Sequence, residues 1–298
     1  MIIDRVKTLI LSALFRLMSW IPLRIVHALA ELVGFFVYLL PTETRRVTQI
    51  NLQLAFPQLT TGERNRLAKQ SINETIKAGF ELGHMWYGSL EHIESMICSV
   101  TGMEYVEDAK ESGRGIIYAA PHIGSWELLG IYLSTLGPMT TLYKPPKIEG
   151  LDKLIADARA KAGAELVPTD RQGVVRLTRA LQQGDSTGIL PDQQPKRDGG
   201  VFAPFFGKQA FTMTLLPKLA AKTDSQVLFA YAKRRPKGQG FDVVFFPAEE
   251  EILDKDPAVA AAALNRGVEK CVLDAPSQYQ WEYKRFRKRP EGETERIY

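Results

Sequence analysis

Cysteine is scarce in this chain: Cys98 and Cys271 are the two among 298 residues. That excludes a disulfide framework, offers no paired thiol spacing for a structural metal and fits a reducing compartment. No apolar run reaches the roughly 20 residues that a perpendicular membrane span needs. There is no internal repeat and no low-complexity segment, and the formal net charge is a mild +4. What remains is a globular composition, 45% hydrophobic and 24% charged, which suits one α/β domain with a helical N-terminal extension.

That extension holds two shorter apolar runs, residues 8–21 and 25–40, separated by Pro22 and Arg24 and interrupted by Arg16, His27 and Glu31. Ala28-Leu29-Ala30 resembles a signal-peptidase site, but Arg16 breaks the preceding run and a further apolar run follows, so a cleaved leader is not expected. Arg5 and Lys7 before the pair, with Arg45 and Arg46 after it, place both ends on the cytoplasmic side by the positive-inside rule. A short hairpin, a helix lying in the inner leaflet and a buried helical hairpin of a soluble protein all fit these runs. The chain therefore divides into membrane-anchoring helices over 1–40 and a single domain over 41–298. At the far end Lys284, Arg285, Arg287, Lys288 and Arg289 crowd around Phe286. Such a cluster suits anionic lipid, nucleic acid or an acidic protein, or is a solvated tail. No nucleic-acid-binding motif accompanies it, and no nucleic-acid partner is expected.

Thr60 and Glu63 have capping-box spacing for a helix running to about Trp86, after a helical stretch over 42–55. Residues 41–100 thus read as helical. From Gly115 short apolar runs (115–120, 139–143, 187–191, 226–232, 241–246) alternate with helical patterns at 125–135, 150–162, 171–183 and 212–222. The alternation predicts a mostly parallel central sheet covered by helices, with 226–246 a hairpin turned at Pro236 to Gly240.

Ligands of such sheets gather beyond the carboxyl ends of strands. The first run is followed by Pro121-His122-Ile123-Gly124-Ser125-Trp126-Glu127. Residues five apart on one helix diverge by about 140°. With His122 in the turn and Glu127 on the first helical turn, however, the carboxylate can orient one ring nitrogen and leave the other as a base. With four histidines and 34 acidic residues, one such spacing arises easily by chance, so context must discriminate. Other run ends supply it. Arg159 closes the helix after the 139–143 run, and Pro191-Asp192-Gln193-Gln194 follows 187–190. A guanidinium and an acid-amide loop at one sheet edge can hold a phosphorylated or hydroxylated head group. A surface Arg159 and a turn-forming Asp192 are the plainer alternatives. Pro204-Phe205-Phe206-Gly207 precedes Thr212, the predicted start of the next helix.

Taken in order, His122 to Glu127, Arg159 with Gly163, 191–194, 204–207 and Thr212 resemble the motif blocks of the bacterial lipid A secondary acyltransferases. Arg46 with Asn51-Leu52, Phe56-Pro57, Tyr279-Gln280-Trp281 and Arg285-Phe286 look like that family's flanking signatures. Lys144 and Glu149 stand where arginine and asparagine are common in the family. The resemblance implies a glycerol-3-phosphate-acyltransferase-like fold at the bacterial inner membrane, its catalytic domain on the cytoplasmic side. It also implies an acyl-carrier-protein thioester as donor and, as acceptor, the hydroxyl of a 3-hydroxyacyl chain on a lipid A precursor. His122 would be the base, Glu127 its orienting carboxylate, and Arg159, Asp192 and Gln193 the acceptor contacts. A thioester is already activated, so neither metal nor cofactor is expected. The basic C-terminal cluster offers a face to the acidic carrier. Another glycolipid or aminolipid acceptor keeps the same chemistry, and a non-catalytic lipid-binding protein is the alternative of a different class.

Overall fold

A computed structural model describes residues 2–145, 151–196, 198–294 and 296–298, with side chains from Thr8 onward. The N-terminal helices are α1 (Ile2–Trp20), α2 (Leu23–Leu39), α3 (Glu43–Ala55) and α4 (Thr61–Tyr87). Pro22 breaks the first pair because it lacks the N–H that a continuous helix would use. α4 opens with the expected box: Glu63 N donates to Thr60 Oγ1 at 3.3 Å, and Thr60 N donates to the Glu63 carboxylate at 2.8 Å. After α5 (Leu90–Ser95) the chain alternates through β1 (Ile97–Thr101), α6 (Met103–Glu111), β2 (Ile116–Ala119), α7 (Trp126–Thr135), β3 (Thr140–Tyr143), α8 (Leu151–Ala160), β4 (Glu165–Pro168), α9 (Arg171–Gln182) and β5 (Ser186–Ile189). It ends with β6 (Gly200–Phe205), β7 (Lys208–Met213), α10 (Leu215–Thr223), β8 (Gln226–Arg234), β9 (Phe241–Pro247) and α11 (Pro257–Asp274).

The central sheet has the order β1-β9-β8-β2-β5. Its pairs are parallel except β8 with β9, the expected hairpin. The sheet is thus mainly parallel and carries helices on both faces. β2 shows why both are needed: Ile116 and Tyr118 enter a core with Leu128 and Leu129 of α7, while Ile117 and Ala119 enter another with Leu177, Leu216 and Leu264. A strand buried on both sides reads as one apolar run, whereas a half-exposed strand would alternate. β3 pairs with β4, and Met139 bridges to Ser186, extending the surface beside β5.

One region differs from the reading of the sequence. Thr212 is not a helix start. It lies in β7, fully buried, and Pro204-Phe205-Phe206-Gly207 turns a β6–β7 hairpin, with Phe206 and Gly207 at φ 47° and 70°. The helix begins at Leu215 instead. No single helix among the described residues is long and apolar enough to cross a membrane. α1 and α2 pack along α4 and leave Trp20 (73% exposed), Leu32 (56%), Phe36 (56%) and other large apolar side chains open.

Candidate active site

The turn after β2 is fixed by backbone contacts before any side chain acts. Gly124 sits at φ +58°, and a Cβ there would lie 1.9 Å from the Ala232 carbonyl oxygen, so only glycine fits. Gly124 N donates to Gln278 O, Ser125 N to Ala232 O, and Gln280 N to His122 O. His122 is thereby held at the carboxyl edge of β2, just before α7.

Its partner comes from the next strand. Beyond β5, Asp192 is buried, and its two carboxylate oxygens accept from His122: Oδ1 from Nδ1 at 2.8 Å, Oδ2 from the backbone N–H at 3.0 Å. Burial pushes the Asp192 carboxyl upward, but the adjacent imidazole and the two hydrogen bonds outweigh it and hold the group below its ordinary value. The carboxylate is therefore an acceptor only, so in the neutral imidazole Nδ1 carries the proton and Nε2 the lone pair. The Gln193 amide nitrogen, 3.3 Å from Nε2, fits this tautomer.

The expected His122–Glu127 pair is not formed. Glu127 leaves the first turn of α7 toward α8, where both its oxygens accept from Arg159, one from Nε at 3.3 Å and one from Nη2. The helical first turn carries the side chain away from the imidazole, and Asp192, on the neighbouring strand end, occupies Nδ1. Burial works against the Arg159 charge, yet Glu127 raises its pKa, so the guanidinium stays charged.

His122, Glu127 and Arg159 line one cavity of about 410 Å³, whose interior is built from apolar groups such as Leu133, Met139, Leu142, Leu166 and Ile189. Its volume lies in the range of small-molecule sites. Trp126 stands edge-on to the imidazole with ring centroids 5.4 Å apart.

The C-terminal basic cluster packs largely against the molecule. Arg285 is buried and donates to Phe211 O at 2.7 Å and Thr212 Oγ1 at 2.9 Å. Lys284 pairs with Glu43, Lys288 donates to Pro195 O at 2.7 Å above the Phe211 ring, and Arg289 pairs with Glu293. Four of the five cations are thus engaged by partners within the molecule, while Arg287 is exposed. Their segment clamps the Asp192 loop: Gln194 N donates to Tyr283 Oη and its side chain to Arg285 O, both at 2.8 Å. Asn51 on α3 fixes the clamp by donating to Trp281 O and Tyr283 O. Tyr283 and Asn51 therefore support the site, and charge counting could not have found them. Glu149 lies outside the described residues, as do the side chains of Arg5 and Lys7.

Fold and site define an α/β protein whose histidine–aspartate pair borders an apolar cavity. The chain belongs to the bacterial lipid A biosynthesis acyltransferase family, whose sequence profile matches residues 3–288. It is 28% identical to the lipid A biosynthesis lauroyltransferase of Escherichia coli (strain K12), over 83% of this chain and 80% of the relative. It is 27% identical to a lipid A biosynthesis acyltransferase of Haemophilus influenzae, over 93% and 86%. A lipid A biosynthesis myristoyltransferase of Escherichia coli matches at 22% over 88% and 81%. The chain is an acyltransferase.

Proposed function

We propose that this enzyme moves a fatty acyl chain from an acyl-carrier-protein thioester to the hydroxyl of a 3-hydroxyacyl chain on a lipid A precursor. It would work through a glycerol-3-phosphate-acyltransferase-like sheet on the cytoplasmic side of the inner membrane. The observation that carries the reading is the His122–Asp192 pair, with Nε2 free of any carboxylate, at an apolar cavity that Arg159 also lines. The acceptor hydroxyl approaches Nε2, displacing the Gln193 amide. Its oxygen forms a bond to the thioester carbonyl carbon as the proton passes to Nε2. Asp192 stabilises the imidazolium. The first turn of α7 has no side-chain cap, so its N–H groups are open to the carbonyl oxygen as charge develops. The C–S bond then breaks, and the imidazolium proton goes to the leaving thiolate. The acyl tail occupies the apolar cavity, and Arg159, kept charged by Glu127, binds an anionic or hydroxylated part of the acceptor.

The exposed apolar face of α1 and α2 supports a helix pair lying in the membrane interface beside the lipid acceptor. The test is transfer from acyl carrier protein to purified lipid A precursor, read by product mass. A mass gain of one acyl chain is expected with the natural protein, together with a loss of about 10²- to 10⁴-fold or more with His122→Ala. A His122→Ala enzyme at near-normal rate, with unchanged circular dichroism, would refute the mechanism.

A further inference from the structure

The break between α1 and α2 meets the β8–β9 hairpin at a cavity of about 320 Å³, away from the acyl site, lined by Arg24, His27, Ala28, Glu31, Lys237 and Gln239. On α2, at about 100° per residue, Arg24, Ala28 and Glu31 form a stripe. On one side lies the face buried on α4 (Val26, His27, Ala30, Gly34); on the other lie the exposed Ile25, Leu29, Leu32 and Phe36. The cavity thus borders the apolar surface assigned above to the membrane.

Its two cations are brought together by backbone contact. Gly238 is at φ +65°, and a Cβ there would lie 2.6 Å from both N and Cα of Arg24, so the hairpin rests directly on the first turn of α2. Lys237 beside it holds φ 54° and ψ 32°, a left-handed conformation that lysine rarely adopts. Arg24 and Lys237 are exposed, and neither has an ion pair or side-chain hydrogen bond among the described residues. The one carboxylate in the lining, Glu31, pairs with Lys77 at 2.7 Å, a cation that it shares with Glu74 at 2.8 Å. The helix end adds to this positive potential. Pro22 caps α2 without a side-chain bond, and Arg24 lies in the first turn, at the positive end of the helix dipole.

We propose that this cavity binds the phosphate of an anionic glycerophospholipid, with Arg24 and Lys237 supplying the charge and the lipid tails lying along Leu29, Leu32 and Phe36. The inference rests on the membrane reading above. It assigns the α1–α2 break a headgroup site that a purely apolar anchor would lack. A free phosphate ion would use the cations but not the adjoining apolar stripe, which is why the lipid is the occupant.

The experiment is flotation of the full-length protein with vesicles of phosphatidylcholine alone and of phosphatidylcholine mixed with phosphatidylglycerol. The natural protein should float with both and bind the anionic vesicles more tightly. Each basic residue near an anionic surface contributes about 5-fold, so Arg24→Gln with Lys237→Gln should lose about 25-fold on the anionic vesicles alone. Arg24→Lys with Lys237→Arg should retain the gain, and Lys218→Gln with Lys222→Gln, an equal charge loss on α10, should leave it nearly intact. Equal binding of the natural protein to both vesicles overturns the headgroup site while leaving the membrane reading standing; binding to neither overturns both. A loss as large in the α10 variant means diffuse charge attraction and overturns the site. Release from anionic vesicles by millimolar inorganic phosphate at constant ionic strength identifies a free-phosphate site and overturns the lipid assignment.

Discussion

Asp192 holds His122 at two points, side chain and backbone, so its loss removes both the tautomer control and part of the turn's geometry. Asp192→Asn is expected to lower the transfer rate about 10²- to 10⁴-fold, approaching the effect of His122→Ala. A double-mutant cycle should show His122 and Asp192 strongly non-additive, and Glu127 and Arg159 likewise. Cross-pairs such as Asp192 with Arg159 should be closer to additive. Strong coupling of Glu127 to His122 with little between Asp192 and His122 would reverse these assignments. All five candidate residues were legible in the sequence, because each follows a strand or closes a helix beside one. Which carboxylate serves the histidine was not. The partner lies 70 residues away, and it reaches His122 because β5 is the hydrogen-bonded neighbour of β2. Spacing along the chain carries no information about that strand order.

At the scale of elements, one buried network ties α2, α4 and β8 together. Glu81 on α4 accepts from His27 Nε2 at 2.6 Å and from Arg234 Nε and Nη2 at 2.5 and 2.8 Å, and Glu74 takes the third Arg234 nitrogen at 2.9 Å. Burial alone would raise the Glu81 carboxyl; Arg234 above all, with the His27 hydrogen bond, instead lowers it to about 2. A carboxyl depressed on folding contributes stability that is complete above its ordinary value of 4.5 and is lost as pH falls toward 2. Glu81→Gln leaves Arg234 buried without its main charge partner and should cost roughly 3–5 kcal/mol at neutral pH. It should also flatten the fall of denaturation midpoint between pH 4.5 and 2. A midpoint at neutral pH equal to the natural protein's would show that the network is dispensable. The helix itself was legible, since Thr60 and Glu63 announce it. The network was not, because a glutamate and an arginine 153 residues apart carry no periodic signal. The same blindness made Thr212 look like a helix start. Its hydroxyl in fact accepts from buried Arg285 and Asn265, contacts that only the folded chain creates.

For the molecule as a whole, α1 and α2 are both an apolar outer surface and, through His27, part of the interior. Composition along the chain marks the first role, since the runs at 8–21 and 25–40 are plain in the sequence; the second depends on what α4 and β8 present. Deleting residues 1–40 would therefore strip His27 from Glu81 and confuse lost anchoring with lost folding. Substituting the outer face separates the two. Leu32 and Phe36 are each 56% exposed, so replacing both with glutamate removes no packed core. Full burial of one such side chain stabilises by about 1.5–3 kcal/mol. Immersing the exposed half of two in a bilayer should therefore contribute on the order of 2–3 kcal/mol, and losing it should weaken partition into vesicles roughly 30- to 150-fold. The added carboxylates oppose insertion further. Leu32→Glu with Phe36→Glu is expected to keep its melting temperature within a few degrees and its transfer rate on detergent-dispersed acceptor. On acceptor embedded in vesicles, its rate should fall in step with lost binding. Unchanged vesicle flotation in the double variant would show that this face does not meet the membrane, and the apolar surface of α1 and α2 would then need a protein partner to cover it.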